Sequence, residues 1–332
     1  MAKLPSDEAK WPPKQLDVWC ADVDREPAPT WLVPGFLPTD GAVMLSGKAK
    51  ISHKTWLAFT LAKCVASGEA AGLFEPTRQG AVLFIEEEGP RKSTRARWKF
   101  LQHGLGIATA GLPIYFVHRQ NVLLDDPVWL GRICDFVRDH GVLLVVLDTI
   151  SRVNRGDENS VQDVSKIASY INKIRQSNPG NCTVLMLHHL RKTEYQDSDT
   201  DIDDDLRGSS AWSGYYDSHL ALRKRQINQS YIRLTARHKD WAEEEYHISW
   251  AIKEKDEYAD FTLVKADPAT ISAELRQVCM DKLAPGESYS PRDLQRIWAI
   301  GRNETAQIID GALKTRELVK NGKVYICSND SH

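Results

Sequence analysis

Five short, nearly continuous apolar runs separated by amphipathic stretches constrain this chain more than any other feature. Ala42–Ser46, Ala81–Ile85, Pro113–Val117, Val142–Leu147 and Cys182–Leu187 have the length and composition of strands buried on both faces. Between them, Thr55–Ser67, Arg91–His103, Pro127–Asp139 and Ser160–Gln176 carry helical periodicity. Ser160 followed by Asp163 reads as a helix cap, and Gly68 and Gly104 stand where helix stops belong. Short buried strands alternating with helices predict a parallel, doubly wound α/β sheet. The next strand patterns, near 219–222, 231–236, 246–252 and 261–264, have no helices between them and predict antiparallel additions. After Pro268 the pattern changes to helices over 270–283, 290–300 and 303–318 and a hairpin over 319–326 turning at Asn321-Gly322, an order similar to a winged helix. The expected divisions are a polar arm over 1–30, a nucleotide-binding-type α/β domain over 31–267 and a small winged-helix-like domain over 268–332.

Composition limits the classes of function. The 332 residues include 43 basic and 45 acidic side chains, so bulk electrostatics cannot drive the chain onto nucleic acid. No apolar run approaches the length of a membrane span, and the proline-rich start has no signal core. Six singly spaced cysteines without a CxxC pair read as reduced thiols, which predicts a soluble, cytoplasmic protein with no membrane partner.

The first strand runs into Gly47-Lys48-Ala49-Lys50-Ile51-Ser52-His53-Lys54-Thr55, and Trp56 follows as a helix opens. A strand-to-helix turn ending in Lys-Thr is the setting of a phosphate loop, in which amides cradle phosphate, the Lys reaches the outer phosphates and the Thr hydroxyl meets Mg²⁺. The fit to GxxxxGK[ST] is incomplete, because Lys48 and His53 hold the two glycine positions. The alternative is a basic surface turn.

Three further strand ends carry chemistry. Asp148 closes the run 143–147 and can hold Mg²⁺ opposite Thr55. Glu86, Glu87 and Glu88 close the preceding strand, and one of them can orient or deprotonate an attacking water; the alternative is an exposed strand end. His188 and His189 point to opposite faces of their strand, which fits a γ-phosphate sensor better than a zinc site.

Together, Trp31-Leu32-Val33-Pro34-Gly35, the phosphate loop, Ile85-Glu86-Glu87-Glu88-Gly89, Val146-Leu147-Asp148-Thr149, the 187–192 segment and Leu206-Arg207-Gly208-Ser209-Ser210-Ala211 resemble RecA-fold hexameric helicases over residues 31–265. The pattern is most similar to RepA-type plasmid helicases and their AAA_25 relatives, and more distantly to DnaB-like replicative helicases. The resemblance implies a RecA-like P-loop NTPase core with a mixed central sheet, ATP and Mg²⁺ as cofactors, a homo-oligomeric, hexameric ring, and translocation on single-stranded DNA. It assigns Lys54 and Thr55 to the nucleotide site, Asp148 to the metal, Glu88 to catalysis and His189 to γ-phosphate sensing. Arg237 falls at the arginine finger that enters the adjacent subunit's site. Lys239 is a further trans-subunit candidate. A lysine usual two residues before the finger is Thr235 here.

The family's DNA loop corresponds to the segment after His189. There Arg191 and Lys192 are the DNA candidates, and Arg207 is either a loop anchor or a salt-bridge partner of nearby acids. Between them lie seven acids in the twelve residues 194–205, which would repel a phosphate backbone. In the C-terminal module, Arg302, Asn303, Thr305 and Gln307 stand at the start of a recognition-type helix, with Lys320 and Lys323 on the hairpin. Nine basic against eight acidic residues from 271 onward suit duplex DNA and a protein partner equally. Three functions follow: a DNA motor in replication of a plasmid, phage or mobile element, a nucleotide-switched regulator or loader, and a recombinase-like filament protein.

Overall fold

The computed structural model describes residues 15–25, 31–49, 52–106, 108, 110–190, 202–203, 206, 210–224, 232–265, 276–277, 279–298 and 302–328. They form two compact units, 1–30 and 31–332. The first contains α1 (Leu16–Val23), whose Leu16, Val18 and Trp19 are exposed.

In the second unit, a small hairpin of β1 (Trp31–Val33) and β2 (Leu37–Pro38) leads into β3 (Ala42–Gly47) and α2 (Lys54–Ser67). Next come β4 (Val82–Glu86), α3 (Arg91–Leu105), β5 (Ile114–His118), α4 (Pro127–Asp139), β6 (Leu144–Asp148), α5 (Val161–Gln176) and β7 (Thr183–His189). A 3₁₀ turn (Ser210–Gly214) precedes β8 (Ser218–Lys224), β9 (Ile232–His238), β10 (Glu244–Lys253) and β11 (Tyr258–Lys265). These strands make one nine-stranded sheet in the order β11-β10-β9-β8-β3-β7-β6-β4-β5. It is parallel from β5 to β8 and antiparallel from β8 to β11, so the expected antiparallel additions are β9, β10 and β11, whereas β8, expected among them, joins β3 in parallel.

Strand alternation sends side chains to two cores. Val43, Leu45, Phe84, Val146 and Leu187 pack with α2 and Trp98 of α3, while Met44, Leu83, Ile85, Val145 and Met186 pack with α4 and α5. Both faces of β3, β4, β6 and β7 are therefore covered, which is why they read as unbroken apolar runs; β5, expected to be equally buried, is instead the sheet edge and leaves Tyr115 and Phe116 exposed.

The caps follow the sequence with one exception. Ser160 Oγ accepts the Asp163 amide, and Gly68 closes α2 at φ +73°. Gly104, however, does not stop α3, which runs to Leu105 and is closed by Gly106 at φ +68°. Gly104 is instead a contact point: a Cβ there would lie 1.8 Å from the Ala259 carbonyl oxygen on β11. Helix packing demands that glycine, and no local signal separates it from a cap.

Toward the C-terminus, β12 (Ser288–Tyr289), α6 (Pro291–Trp298), α7 (Arg302–Lys314), β13 (Leu318–Asn321) and β14 (Val324–Cys327) form a three-stranded sheet and two helices. They share a core of Leu283, Leu294, Trp298, Ile308, Ala312 and Leu318. The expected Asn321-Gly322 turn joins β13 to β14, with Gly322 at φ +63°. Among the described residues no helix is long and apolar enough to cross a membrane.

Candidate active site at the strand ends

Four neighbouring parallel strands, β3, β7, β6 and β4, deliver their C-terminal residues to one edge. Gly47 is level with His189, and Asp148 with Glu86. This is the side on which doubly wound sheets place ligands.

At the start of the loop, a Cβ on Gly47 would fall 2.5 Å from Ser52 Oγ, so only glycine lets the chain turn back this tightly. Ser52 closes the turn by donating from Oγ to the Lys48 carbonyl at 2.7 Å. His53 keeps the backbone that the glycine pattern requires, with φ 56° and ψ 28°. A histidine tolerates this left-handed region better than a β-branched residue, at a cost of roughly 1 kcal/mol. Its ring lies 5.9 Å from that of Trp250, which is in turn 6.1 Å from Trp56. Lys48 and Ala49 belong to the same turn; Lys50 and Ile51 lie outside the described residues.

Lys54 is buried at the first position of α2. Its Nζ donates to the Gly47 carbonyl at 2.6 Å and lies 3.4 Å from His189 Nδ1. Burial lowers its pKa to about 8, against the opposing pull of Asp148 and Glu88. Next to it, Thr55 Oγ1 donates to Asp148 Oδ2 at 2.9 Å. Burial, with the nearby Glu86 charge, raises the Asp148 carboxyl to about 7. A hydroxyl and a buried carboxylate facing each other are the hard oxygen donors that Mg²⁺ takes. With two oxygen donors, the pair fits a Mg²⁺ ion whose remaining ligands would be phosphate and water.

The three adjacent glutamates divide into three roles. Glu86 is buried, accepts Thr94 Oγ1 at 2.7 Å, and is pushed up by desolvation. Glu87 accepts three backbone amides, those of Gln120, Asn121 and Val122, at 3.0, 3.1 and 3.1 Å, and so fastens the turn after β5. Glu88 alone projects to the open edge, with Oε2 3.4 Å from His189 Nε2. That histidine holds the Glu88 carboxyl below the usual range, helped by Lys54 and Arg152. The alternative of a simple exposed strand end is thereby corrected for Glu86 and Glu87, which are built into the fold.

His189 thus bridges Lys54 and Glu88 with its two ring nitrogens. His188 turns to the opposite face, where it is buried 3.8 Å from Glu158 and its Nδ1 donates to the His189 carbonyl. The pair forms no joint metal site, as the alternation of a strand requires.

The other predicted residues lie elsewhere. Arg237, on β9, donates to Asp203 at 3.2 Å and to Glu243 at 2.7 Å within its own chain. Lys239 is exposed and lies 3.4 Å from Asp217. Lys323 is exposed beside the β13–β14 turn. Arg191, Lys192 and Arg207 lie outside the described residues, as do the side chains of Arg302 and Asn303 and most of the acidic tract. Within that tract, Asp203 turns inward to Tyr216, His219 and Arg237 rather than to solvent. Arg152 was not singled out from sequence; a cation four residues beyond Asp148 was the available signal.

The AAA_25 family, an AAA domain, matches residues 8–194, more than half of the chain. A solved DnaB-like replicative helicase, described with its interactions with primase, aligns at TM-score 0.55 and 12% identity, covering 75% of this chain and 67% of that one. A KaiC-like protein from the hyperthermophilic archaeon Pyrococcus horikoshii aligns at TM-score 0.42 and 13% identity, over 70% of this chain and 93% of its own. No curated protein matches the chain. The first of these structures shows the fold, a RecA-like α/β core.

Proposed function

Because this chain belongs to the AAA_25 family of AAA domains, we propose that it is an ATP-hydrolysing, ring-forming motor that acts on DNA. One observation carries the reading: Lys54, His189 and Glu88 form a continuous bridge beside the Thr55–Asp148 pair, all at adjacent strand ends. In this arrangement the 47–55 turn and Lys54 hold the phosphates, and Thr55 with Asp148 holds Mg²⁺, which neutralises phosphate charge. Glu88, kept ionised by His189, accepts a proton from the attacking water. His189 contacts both the phosphate-binding lysine and the base, so it is placed to sense whether a γ-phosphate is present.

A second reading is a nucleotide-switched regulator or loader that assembles without unwinding DNA. It is favoured by Arg237, whose guanidinium is engaged by two carboxylates of its own chain. A finger acting on a neighbour has to leave at least part of that arrangement. The hexameric ring, single-stranded DNA in the ring and docking of duplex DNA or a protein on the winged-helix-like C-terminal module belong to this proposal.

Measuring ATPase activity with and without single-stranded DNA separates the two readings. The motor predicts DNA-stimulated turnover and strand displacement, reduced at least 100-fold by Arg237→Ala in assembled protein. Nucleotide-dependent assembly with turnover indifferent to DNA overturns the motor and supports the regulator.

A further inference from the structure

Ser46 is the last residue of β3 before Gly47, and a chain of buried polar groups starts at its hydroxyl. Ser46 Oγ lies 2.7 Å from Nε2 of His219 on β8. His219 Nδ1 lies 2.8 Å from Asp203 Oδ1, which also accepts the Tyr216 hydroxyl at 2.5 Å. The other carboxylate oxygen of Asp203 accepts Arg237. Serine, histidine and aspartate in this order have the connectivity of a nucleophilic triad. Ser46 and His219 are both 0% exposed, however, so no substrate carbonyl can reach the hydroxyl. The arrangement transmits position rather than performing attack.

Both of its ends are fixed at points that matter to the ATP site. At one end, Ser46 is covalently joined to Gly47, whose carbonyl holds Lys54 Nζ. At the other, Asp203 lies between the buried Ile202 and Leu206, and Leu206 bridges to Leu190, the residue after His189. Burial alone would raise the Asp203 carboxyl, but hydrogen bonds from His219 and Tyr216 and the nearby Arg237 charge bring it down to about 2. An ionised Asp203 selects the His219 tautomer with the proton on Nδ1, and Nε2 then accepts from the Ser46 hydroxyl.

We propose that Asp203 and His219 are positioning residues that couple the place of the Asp203 carboxylate to the phosphate loop through Ser46. The coupling rests on the reading of the strand-end site as an ATP site. A displacement of Asp203 changes the tautomer or orientation of His219, releases Ser46 and loosens the carbonyl cradle of Lys54. The same displacement frees one of the two carboxylate contacts described for Arg237.

A double-mutant cycle between Asp203→Asn and Ser46→Ala tests this, because the two side chains meet only through His219. ATP turnover is measured as kcat and KM, beside melting temperature, in the full chain. Each single variant is expected to raise KM for ATP about 10-fold, the scale of one lost buried hydrogen bond, with kcat changed less than about 2-fold in Ser46→Ala, which leaves both Arg237 contacts in place. The double variant is expected to match the singles, since one broken link already interrupts the path. Asp203→Glu, which keeps the charge, is expected to recover most of the wild-type KM. Unchanged KM despite a lowered melting temperature overturns the coupling, as do KM effects that multiply. If Ser46→Ala folds poorly, His219→Gln replaces it in the cycle with the same expectation. Lys54→Ala separates the two levels of the argument. Turnover abolished by Lys54→Ala with KM intact in the cycle sinks the coupling alone. Turnover that Lys54→Ala leaves untouched removes the ATP-site reading and the coupling with it.

Discussion

Replacing His188 with asparagine is predicted to flatten the acid sensitivity of this fold by a calculable amount. His188 lies on the face of β7 away from Lys54 and Glu88, 1% exposed, with Trp212 edge-on at 5.8 Å. Burial, reinforced by the charges of His189, His219 and Lys54, lowers its pKa from 6.5 to about 4, although the bond to the His189 carbonyl opposes this. The folded chain therefore keeps His188 neutral where the unfolded chain binds a proton. Stability is full above the unfolded value and is lost as pH falls from about 6.5 toward about 4. At 1.36 kcal/mol per unit, the wild type should lose about 2 kcal/mol between pH 7.5 and 5 through this residue alone. Asparagine retains a donor for the His189 carbonyl and does not titrate. Urea denaturation of both proteins at pH 7.5, 6 and 5 checks the argument, because His219 and His238, also pushed down by burial, contribute equally to each. The gap favouring the wild type should shrink by about 2 kcal/mol on acidification. Parallel losses in the two proteins would refute the neutral, buried assignment.

Other perturbations test the remaining geometry. Gly104→Ala places a methyl group against the Ala259 carbonyl, and should cost about 3 kcal/mol or force α3 off β11, read as a fall in melting temperature. Glu87→Ala strips three amides of their acceptor and should destabilise the turn at 120–122 by about 2 kcal/mol, with faster amide exchange confined there. His53→Gly removes the left-handed strain before α2 but also the ring facing Trp250, so a stability change within about 1 kcal/mol is expected by chemical denaturation.

The sheet was readable because β3, β4, β6 and β7 are buried on both faces, so each appears as an apolar run. Their ends, Gly47, Asp148 and His189, are also where the site lies, which is why motif and fold agree. Identical neighbours defeated the same reasoning at Glu86, Glu87 and Glu88. Alternation explains why Glu86 and Glu87 face different ways, but the three amides that capture Glu87 come from a turn more than thirty residues away. Gly104 and Gly106 were indistinguishable for a similar reason, since the contact that selects Gly104 belongs to β11. The Ser46–His219–Asp203 chain was invisible because its members are separated by 173 and 16 residues and become neighbours only through β3–β8 pairing. Asp203 in particular looked like one more member of an acidic tract.

The central claim is that Lys54, His189 and Glu88 form an ATP-hydrolysing site, and Glu88→Gln tests it most directly. The substitution preserves shape and a hydrogen-bond acceptor but cannot take a proton from water. Equilibrium binding of ATP with Mg²⁺ and steady-state turnover should be measured on the same preparation. The account predicts binding within about 3-fold of wild type and turnover reduced by at least about 100-fold. Turnover equal to wild type in the Gln variant would contradict it.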